Sequence, residues 1–555
     1  MHRAGLIGLL GLALTCSCWD PALAQTASAD AAWAACTTAP KRACVLDHAR
    51  HLAQSIESVG TLQSVDALQS VAEAQTKVGL PKEAAATFGL AVQAAQSISD
   101  GALRAYWFIP IAKAQAAAGL KGDADATLDK ALRIARSVEF EMTREDLLGS
   151  VARIQADAGH VAEALNILQS IKDAWHRSSV LIAVAQSQGK AGMIREATAT
   201  YDRAVQEFRS GKFWAAGRSA ILITIGNAQA KAGLLQEAGA TFDEARRLAW
   251  SIKDESPRRW ENLPFAGPVV MCVEALGDVA IAQAKAGLWH EATATFDQAH
   301  LVALSIKSDV DRADAFIRLA RAQAKAGLMK AAGATYNKAL QAVRSIEKED
   351  WRAGMLGSIA AAQADAGLAV EAGSTLDQAM AAAPAIRDER QRALFFNTII
   401  STRIKLGHFD QAFTVAQSIE SEHSHMRALD DLANAHIKAG RLAEALQLAP
   451  AIKDEYWRSL IVAAVAAEQA KARQFSDAIA TAASIKGSIK GESPTARALA
   501  SIAVEQARAG LTREAALTID QAVHVAGTVR PDLWRADALR SIAKQLCSIA
   551  EALHE

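Results

Sequence analysis

Residues Ala282–Leu288 read AQAKAGL and run into the apolar-patterned stretch Glu291–Ile306, EATATFDQAHLVALSI. This two-part phrase, an Ala-rich segment closed by Gly and a second segment built on E-A-x-A-T-F-D, recurs from about residue 70 to residue 520. Aligned on the Gly, the copies fall at Gly79, Gly119, Gly159, Gly192, Gly233, Gly287, Gly327, Gly367, Gly407, Gly440 and Gly510, with Arg473 standing in for a missing twelfth member. Most successive spacings are 40 or 33 residues. A fixed period in this range is the signature of stacked helical pairs. Forty and 33 differ by about two helical turns, so the longer units extend the second helix and still return the closing S-I-K-D phrase to the same face.

Within a unit, Ala313–Lys325 spaces Ile317, Leu319, Ala320 and Ala324 at helical intervals, without the alternation of a strand. Gly327 stands where a helix end needs a left-handed residue, which Gly adopts without a Cβ penalty. Arg473 must tolerate that conformation, or its turn differs. In the second segment a large residue such as Phe296 is followed by Ala299, a small-beside-large arrangement that lets helices approach and interlock.

The phrase resembles the tetratricopeptide repeat family: Gly287, Ala292, Phe296, Ala299 and Gly233, Ala238, Phe242, Ala245 match its Gly, Ala, bulky, Ala spacing, and Pro384 and Pro450 stand near the ends of second helices. The resemblance covers nearly all of residues 45–550 and implies an all-α fold, a right-handed α-α superhelix of about twelve helical hairpins. Where the family carries an aromatic four residues before the Gly, this chain carries Gln, as at Gln75, Gln283, Gln323 and Gln363.

Residues 1–24 read as a secretory signal: His2 and Arg3, an apolar run from Ala4 to Leu14, and Ala22-Leu23-Ala24 before Gln25. The expectation is an exported, periplasmic chain cleaved after Ala24, with no membrane span in its mature part. Residues 25–58 form an N-terminal segment in which Cys36 and Cys44 are candidates for a disulfide in an oxidising compartment. Leu46–Ser58 looks like the second half of a unit whose first half is missing. Residues 59–530 hold the repeats, interrupted near 255–270 by a loop with Pro257, Pro264 and Pro268. Residues 531–555 begin like a first helix without a partner. Both ends are expected to cap the stack.

Lys plus Arg and Asp plus Glu are both 60, so the net charge is zero. That argues against nucleic acid or an anionic lipid surface as partner. Arg recurs fifteen residues before the Gly, as at Arg104, Arg144, Arg177, Arg312, Arg352 and Arg458, and an Asp often precedes it by four. The expected arrangement is a helix-capping Asp paired with the Arg one turn later. Two residues before the Gly stand Lys77, Lys231, Lys285, Lys325, Lys405 and Lys438, a position that faces the concave groove in the resembled family. Arg153, Arg321, Lys113, Tyr106 and Asp146 share that face by the same offsets. These cations are weak candidates for partner contact, because a Lys in a helix's last turn also complements the macrodipole.

Catalytic signatures fail: His290-Glu291 lacks the second His of a zinc-protease phrase, and neither a G-x-S-x-G elbow nor a phosphate loop appears. His423 and His425 are too few for a metal site. The expectation is therefore no enzyme, no cofactor and no metal. The leading reading is a scaffold that binds a peptide or partner protein. A cell-envelope polysaccharide, stacking on Trp107, Trp351, Trp457 and Trp534, is the alternative, and a peptidoglycan-acting enzyme the remote one.

Overall fold

In the computed structural model the described residues are 32–56, 61–210, 215–254, 267–485, 493–529 and 532–553. The signal sequence and most of the proline-rich loop, including Pro257, Trp260, Pro264 and Phe265, lie outside them. The described end of that loop differs from expectation: Pro268 opens a helix, where its fixed φ and missing N–H do no harm.

Every described element is helical. Helix α1 covers residues 32–38, followed by α2 (Arg42–Ser55). Repeat pairs follow: α3 (Thr61–Lys77) with α4 (Pro81–Gln96), α5 (Gly101–Ala117) with α6 (Lys121–Ser137), α7 (Glu141–Asp157) with α8 (Val161–Leu168), and α9 (Ala174–Lys190) with α10 (Ile194–Ser210). Next come α11 (Ala215–Lys231) and α12 (Leu235–Ser251), α13 (Pro268–Lys285) and α14 (Trp289–Ser305), α15 (Asp309–Lys325) and α16 (Met329–Arg344), α17 (Glu349–Asp365) and α18 (Ala369–Ala382). The chain ends with α19 (Glu389–Lys405) and α20 (Phe409–Gln417), α21 (Glu422–Lys438) and α22 (Leu442–Leu448), α23 (Glu455–Lys471) and α24 (Phe475–Ala483), α25 (Pro494–Arg508) and α26 (Thr512–Gly527), and α27 (Asp532–Ala552). The short units shorten only their second helix: α8 has 8 residues where α14 has 17.

Each hairpin turns the same way. All eleven register glycines have φ between 72° and 88°. Around Gly287 the Gly287 amide donates to Ala284 O at 3.0 Å and Leu288 N to Gln283 O at 2.9 Å, closing the orphan carbonyls of α13. Arg473 takes the same left-handed form, φ 62°, with Gln474 N donating to Gln469 O at 2.9 Å. The turn therefore persists without Gly, at a cost of roughly 1–2 kcal/mol.

The core lies between the two helices of a pair and between successive first helices. Phe88, Phe242, Tyr201 and Tyr336, all fully buried, stand at the bulky position of second helices. Opposite Phe242 the first helix carries Gly226, where a Cβ would lie 2.5 Å from the ring. Most of the Gln row is buried too, and in two pairs its partner is a Thr of the second helix: Thr295 Oγ1 donates to Gln283 Oε1 and Thr335 Oγ1 to Gln323 Oε1, each at 2.8 Å. That Thr belongs to the A-T-F phrase of the second helix, so the polar pair is internal to the hairpin.

The recurring Arg does something other than pair with the Asp four residues before it. Arg144, Arg177, Arg312, Arg352 and Arg458 each donate to the carbonyl six residues back, at 2.9–3.2 Å, in the connector that ends the preceding unit. The Asp separately caps the helix, as Asp173 does by accepting from His176 N at 2.9 Å. Arg177 also grips Glu207 with both its Nε and Nη2 atoms. That hydrogen-bonded pairing holds the Glu207 carboxyl below its ordinary range.

The chain divides into two compact units: Met1–Ala94, Gln469–Ala483 and Gly487–Glu555 form one, Ala95–Glu468 with Ser484–Lys486 the other. In the first unit α2 and α27, from opposite ends of the described chain, pack together. Helix α27 packs on α25 and α3 as a first helix does, and on α2 as its second helix. The half-units at the two ends thus make one composite hairpin. Asp66 of α3 receives Arg540 Nη1 at 3.0 Å and Lys544 Nζ at 2.6 Å, and Arg42 Nε donates to Leu553 O at 2.7 Å. Cys36 and Cys44 are disulfide-bonded, Cα atoms 6.0 Å apart, fastening α1 to the start of α2. Cys272 and Cys547 are buried free thiols whose pKa burial pushes up to about 12.

Candidate functional site

Three successive first helices, α5, α7 and α9, pack side by side in the second unit, and their shared face is hollowed into a groove of about 930 Å³. Its apolar wall is made by Leu103, Tyr106, Ile109, Pro110, Leu147 and Ile182. Tyr106 is 62% exposed, a large aromatic surface held open to solvent. Pro110 sits inside α5 and has no N–H to donate to the Tyr106 carbonyl, so a backbone acceptor is released beside the aromatic ring.

Polar groups rim this wall. Arg153 Nη1 donates to Ser179 Oγ and Nη2 to Ser150 Oγ, each at 3.1 Å, which fixes the guanidinium between α7 and α9 without neutralising it. Lys113 and Asp157 also line the groove. Asp146 faces His176 Nε2 at 2.7 Å, and Nδ1 of the same ring meets Asp173 at 2.7 Å. Below the rim, buried Glu145 accepts from the backbone N–H groups of Lys172 (3.0 Å) and Asp173 (3.4 Å) and so sets the connector into α9. Nothing in the sequence pattern marks Glu145, because its partners are backbone amides of another helix's cap.

The other candidate cations do not form one common row of free charges. Lys77 is paired with Glu551 at 3.1 Å, and Lys405 with Asp365 of the preceding unit. Lys231 and Lys285 share a second hollow with Asn227 and Leu235. Lys325 acts electrostatically on Asp278, and Lys438 on Asp431. In both carboxyls burial outweighs the lysine and raises the pKa. Arg321 is exposed on α15. Of the candidate cations, Arg153 and Lys113 line the large groove.

His423 and His425 lie in the first turn of α21 rather than in a connector, and His425 Nδ1 meets Ala416 O at 2.8 Å. Two residues apart on a helix, they face different directions. Among the described residues no group of three or more His, Cys, Asp or Glu can hold a metal ion. Also among them, no helix is long and apolar enough to cross a membrane. Trp107 belongs to the second turn of α5, edge-on to Tyr106 at 6.5 Å, whereas Trp351, Trp457 and Trp534 stand at the third residue of α17, α23 and α27.

The chain is an all-α helical-repeat protein. No protein-family model matches it, and no curated protein does. Among solved structures it is similar to Ton1535 from Thermococcus onnurineus NA1, at 15% identity over 71% of this chain and 98% of that one, TM-score 0.26. A circular tandem repeat protein matches at 11% identity over 90% and 98%, TM-score 0.20. A signal transduction ATPase with a tetratricopeptide repeat sensor, PH0952 from Pyrococcus horikoshii, matches at 12% identity over 71% of each chain, TM-score 0.27. Scores this low carry no argument about site or function, which rests on the chain's own geometry.

Proposed function

We propose that this protein is an exported interaction scaffold of the tetratricopeptide-repeat type, and that a partner protein's extended segment lies in the groove of α5, α7 and α9. The observation that carries this reading is the groove itself: an open, mostly apolar face built by three repeats, with an exposed Tyr106 and a pre-positioned Arg153 at its rim. Burying Tyr106 and its aliphatic neighbours supplies the affinity, at about 25 cal/mol per Å² of apolar surface. The backbone acceptor freed by Pro110 and the charged rim orient the segment. Export is supported by the signal-like start of the sequence and by the Cys36–Cys44 bond, which belongs to oxidising compartments.

The test is crosslinking mass spectrometry on the chain from Gln25 onward, incubated with its own cell-envelope fraction. Crosslinks from a partner concentrated on Lys113 and its surroundings are expected. Crosslinks confined to Lys231 and Lys285, or spread evenly over exposed lysines, would remove the groove from consideration. Fractionation with mass measurement of the N-terminus tests export: an intact Met1 in the cytoplasm contradicts it.

A further inference from the structure

We propose that the composite hairpin formed by the two chain ends is an exchangeable joint latched by the Cys36–Cys44 disulfide, and that once unlatched α27 of one copy completes α2 of a second copy. In each of the other hairpins the two helices are tied by a short turn through Gly or Arg473, so neither can leave without its partner. Helices α27 and α2 have no such tie. Their contacts are the same whether the two helices belong to one chain or to two, which is the condition for swapping.

The joint is complementary enough to recognise its own copy. The buried faces are Val45, Leu46 and Leu52 of α2 against a helix that buries Ile542, Leu546 and Ile549. The charges match where α27 meets α3, the helix that follows α2 and packs on it: Asp66 takes Arg540 and Lys544, and Lys77 takes Glu551. Opening the joint bares these apolar faces to water, and faces of that kind seek their complement.

The latch acts through α1. Trp33, 7% exposed, stacks on His48 of α2 at 4.0 Å between ring centroids and donates its indole N–H to Asp520 of α26 at 3.1 Å. Helix α1 thereby bridges the second helix of the last contiguous unit and the second helix of the composite one. The disulfide holds this seven-residue helix against α2; without it, the ring stacking and the indole hydrogen bond must hold α1 in place. Opening the latch takes two electrons and two protons from a dithiol, whose own sulfurs become a disulfide while Cys36 and Cys44 become thiols. Attack falls on the Cys44 sulfur, since Cys44 is part-exposed and Cys36 is buried.

The joint carries its own crosslinking pair, because a carbodiimide condenses the Asp66 carboxylate with Lys544 Nζ into an amide. Full-length mature chain prepared in ordinary and nitrogen-15 forms is mixed in equal amounts, incubated, then crosslinked and digested. In the wild type, Asp66–Lys544 peptides are expected to be isotopically unmixed. In Cys36→Ser/Cys44→Ser, the mixed fraction should approach half, at a rate roughly tenfold or more above wild type. Wild type treated with dithiothreitol is the second route, so the result does not hang on the variant's folding. Unmixed peptides in both the variant and the reduced wild type would overturn exchange. Mixing at equal rates with and without the disulfide would overturn the latch.

Discussion

Replacing Leu546 with Ala should loosen a helix at the opposite end of the chain. Leu546 is fully buried in α27, and α27 packs on α2 and α3. Truncating a buried Leu costs about 2–5 kcal/mol, depending on how far the site collapses. Because repeat stability is close to a sum of neighbour terms, that loss falls on the joint rather than on the chain as a whole. Taking about 3 kcal/mol, and a factor of about ten per 1.4 kcal/mol, local opening of the composite hairpin rises about a hundredfold. Native-state hydrogen exchange followed by mass spectrometry reads this directly. The amides of Val45–Ala53 should lose about two decades of protection, while those of Ala313–Ala324 in the other unit should change by no more than a few-fold. If α27 exchanges faster and α2 does not, the two ends do not complete one hairpin. If both units lose protection equally, stability is not local.

Gly287→Val places a β-branched residue at φ 82°, and the α13–α14 hairpin should lose roughly 1–2 kcal/mol or more, seen as a lowered urea midpoint; an unchanged midpoint would mean the turn does not depend on that conformation. Glu207, held below its ordinary range by Arg177, contributes stability that is present above the unfolded pKa and disappears as pH falls through the folded one. Wild type should therefore exceed Glu207→Gln by roughly 1–2 kcal/mol at neutral pH, with the difference shrinking as the solution is acidified through the folded pKa of Glu207, and parallel pH curves would contradict the pairing. Cys272 and Cys547, with pKa values pushed up to about 12, should resist iodoacetamide at mildly alkaline pH in the folded protein and react only on unfolding. Rapid native labelling would contradict their burial.

Much of the fold is readable from the recurring Gly, because a helix end that closes with paired amide-to-carbonyl bonds needs a left-handed residue at one fixed place. Counting from that residue also assigns helix faces, which is how Tyr106, Lys113, Asp146 and Arg153 fall together by offset alone. Connectors are harder to read. A capping Asp and an Arg four residues on suggest an ion pair, yet in the connectors after Ile171 and Ile452 the guanidinium prefers the carbonyl left open by the preceding helix. Repetition likewise displays half a unit at each end without saying that the halves belong together: Asp66 and Lys544 are each ordinary surface charges in sequence, and only packing makes them partners. The candidate cations show the same limit from the other side. Offsets place Lys77 and Lys405 on the groove face, but their neighbours Glu551 and Asp365 already occupy them.

The central claim is that the face of α5, α7 and α9 holds the partner. It is tested most directly by measuring the affinity of the captured partner for three proteins: wild type, Leu103→Asp/Tyr106→Ala, and Val370→Asp, the last altering an exposed residue of α18 as control. The groove variant should bind at least about a hundredfold more weakly, as expected for losing a central aromatic contact, with the control unchanged. Equal affinity for all three would contradict the account.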